Sequence, residues 1–106
     1  MTKTADSIII GYGKGGKTLA GYLAGKGEQV AIVEQSDKMY GGTCINVGCI
    51  PTKSLVDSAE RAAIRKLERF EEKAAVYAQA IEDKTALVEK LRSKNYHMLA
   101  DKENVT

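Results

Sequence analysis

Residues 7–34 constrain the fold of this chain more than any other stretch. The run Ser7 to Ile10 reads SIII, which is typical of a buried strand, and it leads directly into a glycine-rich turn. Apolar residues at helical spacing follow from Lys17 to Gly25, and a second apolar strand runs from Val30 to Val33. This succession of strand, turn, helix and strand predicts a βαβ unit with parallel strands.

The turn between the first strand and the helix matches two phosphate-binding patterns. Read as GxGxxG, it provides Gly11, Gly13 and Gly16 for a tight turn, for the approach of a pyrophosphate and for close helix packing. Read as GxxxxGK[ST], it adds Lys17 and Thr18, which would bind the terminal phosphates and the magnesium ion of a nucleotide. Both patterns attract an anion to backbone N–H groups at a helix N-terminus, so the turn alone does not distinguish them.

Glu34 favours the dinucleotide interpretation of this turn. It lies 18 residues after Gly16, at the end of the second strand. A dinucleotide fold has an acidic residue there, because the ribose hydroxyls need an acceptor. A P-loop enzyme instead needs an aspartate after another apolar strand, which we do not find. A P-loop protein that uses Gly16, Lys17 and Thr18 stays as the alternative.

The only two cysteines of the chain lie in residues 41–53, which read GGTCINVGCIPTK. On a regular helix the Cα atoms of Cys44 and Cys49 would be roughly 8.6 Å apart. A disulfide needs a Cα separation of about 4.4–6.8 Å. Either the two thiols do not pair, or the segment bends, and Gly48 would permit such a bend.

Composition narrows the classes of function. The chain is 43% hydrophobic and 28% charged, as in a soluble globular protein, and its net charge is +2 with both signs interspersed. Its apolar runs are too short for a transmembrane helix or a signal peptide. We therefore expect a cytoplasmic protein with no nucleic-acid or membrane partner, in which a cysteine pair is more often redox-active or metal-binding than structural.

The second half of the chain is predicted to be helical, because Thr52 to Leu99 contains neither glycine nor proline and is rich in good helix formers. One helix of nearly fifty residues would be atypical of a compact domain. We expect an antiparallel pair of helices with a break around Phe70 to Lys73. A non-enzymatic module in which these helices bind a partner is a further alternative function.

The strings IIIGYGKGG, VAIVE and GGTCINVGCIPTK, in this order, resemble the N-terminal part of the class I pyridine nucleotide-disulfide oxidoreductases. This family includes dihydrolipoamide dehydrogenase, glutathione reductase and mercuric reductase. The resemblance implies an α/β fold with a Rossmann-like FAD-binding βαβ unit in residues 1–40, a redox-disulfide segment in 41–53 and a helical hairpin in 54–100. Family members are several times longer, so we expect residues 1–106 to be the N-terminal part of an FAD-binding domain, truncated before the rest of the sheet, with the NAD(P) and dimerisation domains absent.

The resemblance also implies a function. The expected protein is an FAD-dependent oxidoreductase that takes electrons from NAD(P)H and passes them through a Cys44–Cys49 disulfide to a small-molecule disulfide, a metal ion or an oxidant. The full-length protein would be a homodimer, and the fragment alone would be inactive. No metal site is expected.

Individual site residues carry over by position in these motifs. Cys49 would be the thiol beside the flavin, Cys44 the outer thiol that exchanges with substrate, and Lys53 a neighbour of the flavin; these three form the expected catalytic set. The expected FAD-binding residues are Gly11, Gly13, Gly16, Glu34, Gly42, Thr43, Cys49 and Lys53. Independently of the resemblance, Thr43 is a plausible N-cap that would place Cys44 at the first helical position, where the helix dipole favours a thiolate.

Overall fold

The computed structural model describes residues 2–106. Its elements are β1 (Ser7–Ile10), α1 (Lys14–Gly25), β2 (Val30–Val33), α2 (Thr43–Asn46), α3 (Cys49–Arg65) and α4 (Phe70–Ala100). The two strands pair in parallel, with Ser7 opposite Val30 and Ile10 opposite Val33. The α/β fold class and the βαβ arrangement predicted from the sequence are therefore confirmed.

A small core joins the βαβ unit to α4. It consists of buried side chains from β1, α1, β2, the glycine turn and α4: Ile9, Tyr12, Ala20, Ala24, Val30 and Leu99. Ala20 is fully buried, and Leu99 is only 2% exposed. Small residues on the inner face of α1 let this helix approach the strands closely, and Leu99 fills the space that remains on the α4 side.

Residues 104–106 hydrogen-bond along the edge of β2 that faces away from β1. The N–H of Val30 donates to the carbonyl of Asn104 at 2.9 Å, and the N–H of Thr106 donates to the carbonyl of Val30 at 2.9 Å. Val105 thereby forms a parallel bridge with Val30. The side chain of Asn104 also donates to the carbonyls of Ala24 and Glu28, which ties this segment to the end of α1.

Helices α3 and α4 form an antiparallel hairpin. Pro51 near the start of α3 lies across a groove from Val88, whereas Ala62 near its end lies across a groove from Val76. The hairpin extends the molecule to 62 Å along its longest axis. Within the described residues, no helix has both the length and the apolar character that crossing a membrane requires.

The break between these helices falls at residues 66–69, so the predicted break around Phe70 to Lys73 is wrong by a few residues. Helix α3 ends where Lys66 adopts a left-handed conformation, with φ of 50°. This conformation is usually taken by glycine at helix ends, so a lysine there carries no recognisable stop signal in the sequence.

Candidate functional site

The glycine turn between β1 and α1 has the backbone geometry that the sequence predicts. Gly11 has φ of +103°, and its N–H donates to the carbonyl of Val33 at 2.7 Å. A Cβ on Gly16 would lie 2.5 Å from the carbonyl oxygen of Gly11, so only glycine lets α1 start this close to the strand. By contrast, a Cβ on Gly13 or Gly15 would meet nothing within 4 Å. The outer side of the turn is therefore open.

Glu34 lies beside this turn, at the end of β2. One carboxylate oxygen accepts the N–H of Tyr12 at 2.9 Å, and the other accepts the N–H of Ser36 at 3.1 Å. The hydrogen bond from Tyr12 is the main reason that the pKa of the Glu34 carboxyl is lowered. Glu34 is therefore ionised at neutral pH, and a carboxylate has further lone pairs with which to accept a hydroxyl.

An aromatic cluster packs behind the turn. The phenol of Tyr12 donates to the carbonyl of Tyr96 at 2.8 Å, and the rings of Tyr12, Tyr40 and Tyr96 lie within 4.7 to 6.3 Å of one another. Burial is the largest of the effects that raise the pKa of Tyr12 to about 12, so this phenol is neutral at neutral pH. The cluster borders a cleft of about 460 Å³ whose lining includes Glu34 and Thr106.

The two residues that a P-loop would use are engaged elsewhere. The ammonium group of Lys17 donates to the side-chain oxygen of Asn95 on α4. The hydroxyl of Thr18 donates to the carbonyl of Lys14 at 2.6 Å, within its own helix. Both groups are thus hydrogen-bonded within the chain.

The cysteine segment begins in contact with the glycine turn. Gly41 and Gly42 both have positive φ, of 93° and 92°, and the N–H of Gly41 donates to the carbonyl of Tyr12 at 2.9 Å. A Cβ on Gly42 would lie 3.1 Å from the Cα of Gly13. The structure thus brings the two glycine motifs together backbone to backbone.

Cys44 and Cys49 are joined by a disulfide, with their Cα atoms 4.6 Å apart. Of the two geometries that the sequence allowed, the bent one occurs, since α2 ends at Asn46 and α3 begins anew at Cys49. Gly48 lies inside the bend, where a Cβ would be 3.3 Å from the carbonyl oxygen of Thr43. Both cysteines are exposed.

The predicted N-cap is wrong by one residue. Gly42 is the N-cap of α2, Thr43 is its first helical residue and Cys44 its second. The positive φ of Gly42 turns the chain before Thr43 is reached, and the carbonyl of Gly42 accepts the N–H of Asn46 at 3.2 Å. Lys53 lies in α3 four residues after Cys49, on the same face of the helix.

Asn46 is the residue of this segment that sequence reasoning missed. It is buried, and its side-chain N–H₂ donates to the carbonyls of Tyr40 at 2.9 Å and Gly42 at 2.7 Å. Its side-chain oxygen accepts the Nε–H of Arg92 at 2.7 Å. An asparagine between two cysteines is a weak signal, because asparagine is common in turns. Arg92 gives no signal at all, since it is distant in sequence.

Comparisons with known proteins agree with this geometry. A family model described as pyridine nucleotide-disulphide oxidoreductase matches residues 5–106. The probable pyridine nucleotide-disulfide oxidoreductase RclA of Escherichia coli is 48% identical over 100 residues, which are 94% of this chain and 20% of that protein. The mercuric reductase of Streptomyces lividans is 39% identical over 101 residues, covering 90% of this chain and 21% of that protein.

Among solved structures, the Cu(II) complex of the HOCl-induced flavoprotein disulfide reductase RclA from Escherichia coli superimposes with a TM-score of 0.82 at 47% identity. The match covers 98% of this chain and 21% of that one. The chain thus spans about a fifth of the length of the relatives that it matches.

The chain belongs to the pyridine nucleotide-disulphide oxidoreductase family, as the resemblance of its motifs implied. The family uses the cofactors FAD and NAD(P)H, as the resemblance implied. The alternatives of a P-loop protein and a non-enzymatic helical module gain no support.

Proposed function

We propose that this chain forms the flavin-binding and disulfide-bearing part of a flavoprotein disulfide reductase. The observation that carries the proposal is the contact between Gly42 and Gly13. It joins the start of the cysteine segment to the turn that would hold a pyrophosphate. A dinucleotide bound at the turn would therefore have the Cys44–Cys49 disulfide on the adjoining segment.

The residues present fit FAD. The N-terminus of α1 offers N–H groups that have no partner within the helix, and the space outside Gly13 and Gly15 is open. The ionised carboxylate of Glu34 has the acceptor chemistry that a ribose diol needs. We assign the pyrophosphate to Gly11, Gly13 and Gly16, and the isoalloxazine side of the cofactor to Gly42, Thr43, Cys49 and Lys53.

Bound FAD would supply an electron pair, taken from NAD(P)H, to the disulfide. With this electron pair the Sγ–Sγ bond of Cys44 and Cys49 would break and two thiolates would form, either of which can take up a proton. The Cys44 thiolate then attacks one sulfur of a substrate disulfide, giving a mixed disulfide and one substrate thiolate. The Cys49 thiolate attacks Sγ of Cys44, which releases the second substrate thiolate and restores the starting disulfide.

Flavin binding at the glycine turn is tested with Gly13→Ala. The backbone of Gly13, with φ of −79° and ψ of −179°, suits any residue, and the added methyl group meets no atom of the chain. We expect unchanged folding stability and FAD binding at least about ten-fold weaker, or ~1.4 kcal/mol, as measured by titration of the apoprotein with FAD.

Gly25→Ala is the matched control for this test. Gly25 also has open space around its Cβ position, but it lies at the other end of α1. Its substitution should leave FAD affinity unchanged. Parent-like FAD affinity in Gly13→Ala would show that the cofactor does not use this turn.

The order of the two cysteines is tested with Cys44→Ala and Cys49→Ala. In the first variant the remaining thiolate of Cys49 would lie beside the flavin and give a long-wavelength absorbance band. In the second variant FAD should still bind, but the band should be absent. A band that survives in Cys49→Ala and disappears in Cys44→Ala would reverse the proposed order.

The finer features of the full-length protein are also part of this proposal. They are NAD(P)H as electron donor, a homodimer, a cytoplasmic location, the division into residues 1–40, 41–53 and 54–100, and a small-molecule disulfide, metal-ion or oxidant substrate. The chemistry of an exposed disulfide supports this range of substrates, since a reduced dithiol can donate its electron pair to each of them. The interspersed charges and net charge of +2 support the absence of a nucleic-acid partner.

A further inference from the structure

One side chain of α4 reaches the segment that carries the disulfide. The Nε–H of Arg92 donates to the side-chain oxygen of Asn46 at 2.7 Å, across 46 positions of sequence. Within residues 2–106, Arg92 forms no ion pair. Its contact with Asn46 is therefore the specific polar interaction that the structure gives to this arginine.

This contact determines the orientation of the Asn46 amide. Its N–H₂ group faces the carbonyl oxygens of Tyr40 and Gly42, which can only accept hydrogen bonds. Its oxygen faces the Nε–H of Arg92, which can only donate. A flipped amide would lose all three bonds, so Arg92 and the two carbonyls select one orientation together.

The oriented amide ties the short helix that carries Cys44 to the residues before it, through Tyr40 and Gly42. Asn46 closes the turn through Gly42, the residue that caps α2, and it lies two positions after Cys44. Helix α2 has only four residues and therefore little stability of its own. The hydrogen bond from Arg92 therefore adds, from outside the segment, to the contacts that hold α2 against the start of α3.

We propose that Arg92 is a positioning residue for the Cys44–Cys49 pair, acting through the side-chain amide of Asn46. The proposal rests on the redox function proposed above for this pair. With the amide held, the two reduced cysteines stay close together, which favours re-formation of the disulfide. Without the hydrogen bond from Arg92, the reduced form gains conformational freedom, and the disulfide becomes easier to reduce.

Arg92→Met and Arg92→Gln form a matched pair for the test. Both remove the positive charge and keep a straight side chain, but glutamine places an amide nitrogen where arginine has Nε, whereas methionine places a methyl group there. The thiol-disulfide equilibrium of the intact purified protein is measured in glutathione buffers, by alkylation of Cys44 and Cys49 and mass spectrometry. We expect the equilibrium constant of Arg92→Met to shift about ten-fold toward the reduced pair, or about 30 mV, and that of Arg92→Gln to stay within about three-fold of the parent.

Equal shifts in the two variants would overturn the proposal, because charge or packing would then explain the effect; so would the absence of a shift in both. The same measurement in an Asn46→Ala background gives a second test. Arg92→Met should add no further shift there, since its route to the cysteines is already gone. If the shifts of Arg92→Met and Asn46→Ala in the equilibrium constant multiplied in the double variant, Arg92 would act independently of Asn46, contrary to the proposal.

This experiment does not depend on flavin chemistry. Buffer equilibration reports on the cysteine pair without FAD turnover or nicotinamide. Failure of the proposed function would appear differently, as a parent protein whose Cys44–Cys49 pair stays oxidised after its bound FAD is reduced.

Discussion

Gly15 and Gly16 are neighbours in the first turn of α1, yet we expect alanine at these two positions to have opposite effects on stability. In a helix, alanine is favoured over glycine by up to about 1 kcal/mol. A Cβ on Gly15 would meet nothing within 4 Å. Gly15→Ala should therefore stabilise the fold by about 0.5 kcal/mol, because the backbone of the first helical turn is less constrained than that of the helix interior.

A Cβ on Gly16 would lie 2.5 Å from the carbonyl oxygen of Gly11 and 3.1 Å from Cγ2 of Ile9. Ordinary contacts of this kind are longer by almost 1 Å, and the nearest atom belongs to the backbone, so it cannot rotate away. This clash can be relieved only if α1 moves away from β1, and such a movement disturbs the core around Ile9. Overpacking of this kind costs about 1–3 kcal/mol. After subtraction of the helix-propensity gain, Gly16→Ala should be destabilised by about 1–2 kcal/mol.

The two variants are compared by urea unfolding followed by far-UV circular dichroism, with m-values checked for equality. The expected difference in the free energy of unfolding is about 2 kcal/mol, which corresponds to roughly 8–16 °C in melting temperature for a domain of this size. A Gly16→Ala variant as stable as Gly15→Ala would refute the argument that glycine is needed there for close packing of helix on strand.

Two further predictions concern the bend and the carboxylate. Gly48→Ala places a methyl group 3.3 Å from the carbonyl of Thr43 and should push α2 away from α3. The Cys44–Cys49 disulfide should then be about three- to ten-fold easier to reduce, a change of up to about 30 mV in its reduction potential. An unchanged equilibrium with dithiothreitol would contradict this prediction. The lowered pKa of Glu34 means that its stabilising hydrogen bonds are fully present above the unfolded pKa of about 4.3 and are lost as pH falls through the folded value. Unfolding of Glu34→Gln, compared with the parent between pH 3 and 7, should therefore show a stability difference that shrinks at acid pH; a difference constant over this range would exclude linkage to Glu34.

The βαβ unit was predictable because its determinants are local. Three consecutive isoleucines, a glycine turn and a second apolar strand each select one conformation, and they follow one another without interruption. The meeting of Glu34 with the glycine turn follows from topology, since the ends of adjacent parallel strands lie at one edge of the sheet. These parts of the candidate site needed no knowledge of long-range contacts.

Other features were not predictable because they depend on contacts between distant segments or on unusual backbone conformations. The sequence was compatible with both a paired and an unpaired Cys44 and Cys49, because Gly48 permits a bend in the backbone but does not require one. Helix α3 ends at Lys66, whose backbone is in the left-handed conformation, and no local sequence pattern predicts this end. The link from Arg92 to Asn46 exists only after the hairpin has folded back on the cysteine segment.

Two different kinds of interaction hold the candidate site, and they respond differently to substitution. Close backbone approach at Gly16, Gly42 and Gly48 leaves no room for a side chain, so changes there act by steric displacement. Side-chain contacts from α4 are the second kind: Arg92 and the buried Asn95 lie three residues apart, the first bonds Asn46, and the second leaves no room for a Cβ on Gly41. Neither residue belongs to a sequence motif of the site, so the sequence alone gives no reason to expect an effect of substitution there. Substitution of Arg92 should nevertheless alter the behaviour of the disulfide, whereas substitution of Asn95 would also remove the acceptor of the Lys17 ammonium group beside the glycine turn.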